Sequence, residues 1–155
     1  ASDSGGEPRG SRCPLRTHGR PRVIAVDTNI LVYAHREELP QHAAARARLT
    51  ALAEGRAPWA IPVFCLGEFV RVVTHPRLFD PPHTIAEACS ALGRVLESPT
   101  VRILSPGERF WMILVETLIE GAAAGNLVFD AQLAALCRES GVSALLTEDR
   151  IGRST

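Results

Sequence analysis

Four short apolar segments, separated by helical patterns, constrain the fold more than any other feature of the chain. Each is nearly continuous in apolar residues and too short for a helix, which is typical of a parallel strand buried on both faces. Strands that alternate with helices form a parallel sheet covered by helices. The sequence therefore predicts a three-layer α/β/α domain with a mainly parallel central sheet. The four segments are RVIAV (22–26), WAIPV (59–63), VRIL (101–104) and SALLT (143–147).

The helices expected between these strands have recognisable start and stop signals. Thr84 with Glu87 and Ser105 with Glu108 have the spacing of capping boxes, and Gly141 is a stop signal. Residues 1–21 are rich in Gly, Pro, Ser and Arg, so we interpret them as a disordered or non-native arm. The remaining residues, 22–155, are expected to form a single domain. The predicted helices cover 41–54, 64–74, 84–97, 105–124 and 127–139.

The composition excludes several classes of protein. The formal net charge is zero and the chain has no lysine, so any binding of nucleic acid must use local arginine patches. Its four cysteines are widely spaced, which argues against a zinc site or a redox motif. No apolar run approaches the ~20 residues of a membrane span, and no signal peptide is visible. The sequence predicts a cytoplasmic protein that does not bind a membrane.

Two aspartates follow predicted strands. Asp27 comes directly after the first strand, and Asp149 comes two residues after the last one. Ligands of parallel sheets bind at the carboxyl ends of the strands, so both are candidate site residues. Two alternatives stay open at this point: Asp27 could only cap the helix that follows it, and Asp149 could be an ordinary loop residue.

Two further acids lie on predicted helices, next to apolar residues. Asp130 is followed at i+3 and i+4 by Leu133 and Ala134, so we expect it on the core-facing stripe of its helix. Asp130 could instead only favour the positive end of that helix. Glu68 has apolar neighbours one turn away on either side, and its alternative role is an ion pair with Arg71 at i+3.

Together these four acids suggest a cation site. Carboxylates that lie close together disfavour their charged forms unless a positive group joins them. Because the chain has no lysine, that group is an arginine or a metal ion. Clustered oxygen ligands suit Mg²⁺ or Mn²⁺, which assist phosphodiester hydrolysis.

Four segments of the chain, in this order, resemble the PIN-domain ribonucleases, and within them the VapC toxins of bacterial toxin–antitoxin pairs. Each segment carries one of the acids, and the resemblance spans essentially residues 23–150. The loop in the second segment further resembles a mycobacterial and actinobacterial VapC subgroup. The four segments are VDTNILVYA, GEFVRVVTHPRLFDPP, GNLVFDAQLAALCRESGV and LLTEDR.

The resemblance implies a metal-dependent endoribonuclease that cuts structured RNA such as tRNA or ribosomal RNA. Asp27 and Asp130 would hold Mg²⁺ or Mn²⁺, and Glu68 and Asp149 would join directly or through water, so that all four are catalytic. The supporting polar residues would be Thr28, Asn29 and Thr147.

The resemblance also implies partners. Such toxins usually form homodimers and are silenced by a VapB antitoxin, whose arginine often enters the acidic pocket. Arginines near the acidic edge are candidate RNA contacts, although each could be an ordinary solvated side chain. These candidates are Arg36, Arg71, Arg77 and Arg150.

The chain departs from the family pattern at its C-terminal end. The family commonly continues T-x-D-x-D-F into a further short strand, whereas here Arg150 and Ile151 follow the aspartate. A C-terminal strand is therefore expected to be missing, and the alternative is an impaired PIN fold that binds RNA or an antitoxin without cleavage. Receiver domains, P-loop NTPases and haloacid-dehalogenase-like phosphatases are disfavoured because each needs a lysine.

Overall fold

The computed structural model describes residues 22–148, and a parallel four-stranded sheet lies at their centre. The strands are β1 (Ile24–Val26), β2 (Trp59–Pro62), β3 (Val101–Leu104) and β4 (Ala144–Leu146). Their order in the sheet is β3-β2-β1-β4, and each neighbouring pair is parallel. The helices are α1 (Thr28–His35), α2 (His42–Glu54), α3 (Val63–Val73), α4 (Ile85–Leu96), α5 (Phe110–Glu120) and α6 (Leu127–Ser140). The predicted α/β class with a parallel sheet is confirmed.

The helices cover the sheet in two groups. A main core joins the sheet to α1–α4, with Trp59 and Ile61 from β2 and Phe69 from α3 fully buried in it. A smaller cluster, with Ile113 of α5 and Ala135 of α6 at its centre, holds those two helices together. Right-handed crossovers that run in opposite directions along a sheet lie on opposite faces, so the α5–α6 connection covers the second face.

The strand order creates a switch point beside β1. Ile24 pairs with Trp59 of β2 on one side and with Ala144 of β4 on the other. The chain moves from β1 outward to β2 and β3 and then returns to place β4 on the opposite side. In open α/β sheets ligands bind at the carboxyl ends of the strands at such a point. Asp27 and Thr147, which directly follow β1 and β4, lie there.

Two of the predicted helix boundaries are confirmed. The Thr84 hydroxyl accepts a hydrogen bond from the Glu87 amide at 3.1 Å, which caps α4. Gly141 ends α6 in the left-handed conformation, with φ of 69°, and its amide donates to the Cys137 carbonyl.

The prediction that Ser105 begins a helix is wrong. Helix α5 begins at Phe110 rather than after Ser105, and the Gly107 amide, which a cap at Ser105 could have used, is bound elsewhere. The Glu139 carboxylate on α6 accepts hydrogen bonds from the amides of Gly107 (2.6 Å) and Arg109 (3.0 Å). The helix also ends at Glu120 rather than near residue 124, and Ala122 beyond it has a positive φ of 46°.

Two expectations fall on residues that the structure does not describe. The arm of residues 1–21 and the missing C-terminal strand beyond Glu148 both lie outside the described range. Across residues 22–148, none of the helices has the length and apolar character that a membrane crossing requires.

Candidate metal centre

Asp27 lies at the junction of β1 and α1. Its amide donates to the Leu146 carbonyl of β4 at 3.1 Å, which extends the sheet by one residue. Its side chain accepts a hydrogen bond from the Thr28 amide at 2.6 Å and so caps α1. The capping role that the sequence left open is therefore real. It is compatible with a ligand role, because a carboxylate oxygen has lone pairs to spare.

Asp130 faces the same cavity as Asp27. The cavity has a volume of about 330 Å³ and lies at the carboxyl ends of β1 and β4. The expectation that Asp130 lies on the core-facing stripe of α6 is wrong, since Asp130 and Ala134 are exposed while the buried stripe includes Leu133 and Leu136. Exposure toward the cavity removes the cost of burying the charge. The full lining is Asp27, Asn29, Asp130, Leu133, Leu145, Thr147 and Glu148.

The cavity is electrostatically unfavourable for a second negative charge. Burial raises the pKa of the Asp27 carboxyl, and the charge of Asp130 raises it further. Hydrogen bonds from the amides of Thr28 and Asn29 act in the opposite direction without cancelling the effect. A cation in the cavity would lower the pKa of Asp27 and so oppose the effects of burial and of the Asp130 charge.

The side chains that line the cavity fit a hard divalent cation. Their polar atoms include carboxylate oxygens from Asp27 and Asp130, an amide from Asn29 and a hydroxyl from Thr147. None is a thiol or an imidazole, so the chemistry of the set suits Mg²⁺ or Mn²⁺ rather than zinc. Residues 22–148 contain no group of three or more acidic, His or Cys side chains close enough to hold a metal ion by themselves. Water would therefore complete the coordination of a cation here.

Glu68 is not among the residues that line this cavity. It lies on α3 and forms a two-point ion pair with Arg71, with Arg71 Nε at 3.0 Å from Oε2 and Nη2 at 2.5 Å from Oε1. The side-chain hydrogen bonds from Arg71 hold the pKa of Glu68 below its usual range. The structure therefore shows the ion pair that the sequence left open as the alternative.

The three supporting residues lie at or beside the cavity. Asn29 and Thr147 line it. The Thr28 hydroxyl is buried and has no hydrogen-bond partner within the described part of the chain. A buried hydroxyl without a partner is uncommon in a native structure, and it lies directly beside the Asp27 cap. Asp149, the remaining predicted acid, lies outside the described residues.

Sequence reasoning missed Glu148 and the two residues that bind its carboxylate. The Tyr33 hydroxyl donates to Glu148 Oε2 at 2.8 Å, and Gln41 Nε2 donates to Oε1 at 2.9 Å. Burial, the bond to Glu148 and the charges of Glu148 and Asp27 raise the pKa of Tyr33 to about 12. Glu148 could have been suspected from its place between Thr147 and Asp149. No local spacing connects Tyr33 or Gln41 to it, because the contact joins distant parts of the chain.

The four candidate RNA-binding arginines have different environments. Arg36 is buried, with its Cζ 4.3 Å from the centroid of the Phe79 ring and its Nη2 donating to the Pro81 carbonyl at 3.0 Å. It holds the loop before α4 in place, which corrects its assignment as an RNA contact. Arg71 is paired with Glu68, and Arg77 is exposed on the same loop as Phe79. Arg150 lies outside the described residues.

Comparison with known families decides what this arrangement represents. Residues 24–153 match the PIN domain family. The chain belongs to the PIN-domain family. This PIN domain is 37% identical to Ribonuclease VapC43 of Mycobacterium tuberculosis over 131 residues, which cover 84% of the chain and 89% of the relative. It is 33% identical to Ribonuclease VapC31 of the same species over 114 residues, or 74% of the chain and 80% of the relative. The predicted VapC-type resemblance is confirmed.

Solved structures support the fold of this PIN domain independently. Mycobacterium tuberculosis VapC20, described as a Sarcin-Ricin loop cleaving toxin, has a TM-score of 0.60 at 17% identity and covers 83% of this chain and 92% of its own. The Rickettsia felis VapBC2 structure, bound to a DNA fragment from its promoter, has a TM-score of 0.58 at 18% identity, covering 84% and 93%. At these identities the similarity concerns the fold alone.

Proposed function

We propose that this chain is a Mg²⁺- or Mn²⁺-dependent endoribonuclease of the VapC type, the toxin of a toxin–antitoxin pair. The observation that carries the proposal is the shared cavity of Asp27 and Asp130 at the switch point of the sheet. The similarity to VapC ribonucleases over most of the chain supports the same reaction.

In this mechanism Asp27 and Asp130 would hold the cation, and Glu68 and Asp149 would join directly or through water. The cation, when bound, supplies charge stabilisation and an activated water for phosphodiester hydrolysis. The chain's own contribution is orientation. The Thr28 amide fixes one oxygen of Asp27, and the Asn29 and Thr147 side chains border the space where the phosphate and water would lie. To reach the metal centre, the Glu68 side chain would have to leave its ion pair with Arg71 and turn toward the cavity.

The proposed substrate is a structured RNA, such as tRNA or ribosomal RNA. The solved relative VapC20 is described as cleaving the Sarcin-Ricin loop, which supports a structured target without identifying the one used here. Arg71 and Arg77 are exposed and remain candidate contacts with the RNA backbone, because phosphate binding needs positive side chains and the chain has no lysine. Arg150, outside the described residues, remains a candidate from the sequence. Arg36 no longer belongs to this group.

The proposed protein partners are a VapB-type antitoxin and a second copy of the chain. An antitoxin arginine entering the cavity would neutralise Asp27 and Asp130 through charge-assisted hydrogen bonds. A homodimer would bury the apolar side chains that α5 leaves exposed. Trp111 and Ile119 are 71% and 74% exposed, and Met112 is 53% exposed. Large exposed side chains of this kind are typical of protein interfaces.

A second candidate function is binding of RNA or antitoxin without cleavage. The observation that favours it is the Glu68–Arg71 ion pair, which leaves two of the proposed catalytic acids, Asp27 and Asp130, in the described cavity. In this case the site lacks a carboxylate that catalysis needs, and the protein acts only by binding RNA or the antitoxin.

Cleavage of tRNA and ribosomal RNA by the purified chain distinguishes the two. The reaction is run with Mn²⁺, with Mn²⁺ plus EDTA, and with Asp27→Asn, using Asp80→Asn as a matched control on an exposed loop aspartate. The endoribonuclease proposal expects defined fragments that disappear with EDTA and with Asp27→Asn but persist with Asp80→Asn. RNA binding without cleavage would support the second candidate. Cleavage that survives EDTA would contradict the metal mechanism.

A further inference from the structure

Glu148 is a third carboxylate at the Asp27–Asp130 cavity, and it is held differently from Asp27 and Glu68. It follows β4 and lines the cavity, and both of its oxygens accept hydrogen bonds. One donor is the Tyr33 hydroxyl on α1, and the other is the Gln41 amide, which precedes α2. Three separate segments of the chain therefore meet at this one side chain.

The two donors are uncharged, and this decides what the contact does. An arginine fixes a carboxylate but also cancels its charge, as Arg71 does for Glu68. A phenol and an amide fix the carboxylate and leave its negative charge in place. Each Glu148 oxygen also keeps a lone pair for a water molecule in the cavity. Among the residues that the structure describes, 22–148, the contact therefore presents an oriented negative charge beside Asp27 and Asp130 that no cationic side chain pairs with.

We infer that Tyr33 and Gln41 are positioning residues for the proposed metal centre, and that they act by holding Glu148 as an outer carboxylate that increases the affinity of the cavity for a divalent cation. The inference rests on the proposed function. Tyr33 and Gln41 touch neither the cation nor the RNA in this account. Groups that orient such outer partners of metal sites commonly contribute about 10–100-fold to metal affinity.

Isothermal titration of the metal-free chain with Mn²⁺ tests the inference without using RNA cleavage. The variants are Tyr33→Phe, which removes one oxygen, Gln41→Ala and Glu148→Gln. Gln41 makes no side-chain capping bond to α2, so Gln41→Ala leaves that helix start unchanged and serves if Tyr33→Phe folds poorly. Glu37→Gln is the control for charge, because Glu37 is an exposed acid that does not line the cavity.

We expect Tyr33→Phe, Gln41→Ala and Glu148→Gln each to weaken Mn²⁺ binding about tenfold, at the lower end of the range for such partners. Glu37→Gln should bind Mn²⁺ as the wild type does. The double variant Tyr33→Phe/Glu148→Gln should bind no more weakly than Glu148→Gln alone, because Tyr33 acts through Glu148.

The outcomes separate the inference from the function on which it rests. If the wild type binds Mn²⁺ and Tyr33→Phe and Gln41→Ala bind it equally well, while their melting temperatures fall, the contact is only structural and the inference is overturned. If the wild type neither binds Mn²⁺ nor cleaves RNA, the proposed function fails and the inference fails with it.

Discussion

Asp27 and Asp130 reach one cavity from different elements, Asp27 from the end of β1 and Asp130 from the first turn of α6. The charge of Asp130 adds to burial in raising the pKa of Asp27, so the metal-free fold holds the pair at a cost. The arrangement is therefore suited to binding a cation and reduces the stability of the free protein. Removing the Asp27 charge should therefore have opposite effects on cation binding and on the stability of the metal-free protein, and both can be measured.

Asp27→Asn should abolish catalysis and stabilise the metal-free fold. Asparagine caps a helix about as well as aspartate, so α1 keeps its start, while the unfavourable charge is removed. The melting temperature in EDTA should rise. RNA cleavage should fall at least about a hundredfold, because loss of a ligand removes several kcal/mol of charge stabilisation. Asp80→Asn should change neither quantity, and a lower melting temperature for Asp27→Asn would contradict the account.

The stability gained in Asp27→Asn should depend on pH. Because the pKa of Asp27 is raised in the folded state, the folded state binds this proton more tightly than the unfolded chain does. The free energy of unfolding therefore falls as pH rises through the folded-state pKa of Asp27. In EDTA, the advantage of Asp27→Asn over the wild type should be larger at neutral pH than below about pH 3, where an aspartate of ordinary pKa is mostly protonated in the unfolded chain as well. Chemical denaturation across this range measures it, and an advantage that does not change with pH would refute this explanation.

Arg71→Ala should tighten Mn²⁺ binding if Glu68 serves the metal centre. Arg71 and the cation compete for the same carboxylate, and an ion pair at this spacing contributes about 0.2–0.5 kcal/mol, or up to roughly twofold in affinity. The free energy of unfolding should change by less than about 0.5 kcal/mol, as is usual for exposed pairs one turn apart. Arg77→Ala should leave Mn²⁺ binding unchanged. Unaltered binding in both Arg71→Ala and Glu68→Gln would remove Glu68 from the centre.

Arg36→Ala should destabilise the protein without impairing cleavage. The buried guanidinium stacks on Phe79 and donates hydrogen bonds to the Pro81 carbonyl and, from Nε, to Glu38 Oε1 at 2.7 Å. Loss of these contacts should lower the free energy of unfolding by about 1–3 kcal/mol, measured by urea denaturation. Arg56→Ala, at an exposed loop arginine that is not a candidate RNA contact, is the control. A large loss of cleavage by folded Arg36→Ala would restore Arg36 as an RNA contact.

The sequence was most informative where structure is local. The apolar run before Asp27, the Thr84 capping box and the Gly141 stop signal each depend on neighbouring residues, and all three predictions are confirmed. The start of α5 was predicted wrongly because Glu139, from another helix, binds the Gly107 amide that a local cap at Ser105 could have used. Local capping rules cannot anticipate such a contact.

In the candidate site, too, local features were predictable from the sequence and contacts between distant segments were not. The position of Asp27 follows from the strand pattern and the rule for parallel sheets. Asp130 was singled out by its apolar neighbours and then by the family resemblance, although its helix face was predicted wrongly. Whether Glu68 turns toward the cavity or toward Arg71 depends on a side-chain choice that its apolar neighbours do not determine. The contact of Tyr33 with Glu148 depends on the approach of α1 to the end of β4, which only the folded chain reveals.

The central claim is that Asp27 and Asp130 together hold a divalent cation. Anomalous diffraction from crystals soaked in Mn²⁺ tests it most directly, with Asp27→Asn crystals as the matched control. The account predicts a strong anomalous peak in the cavity between the Asp27 and Asp130 carboxylates, absent in Asp27→Asn. A cavity without a peak at saturating Mn²⁺, or a peak that Asp27→Asn leaves unchanged, would contradict it.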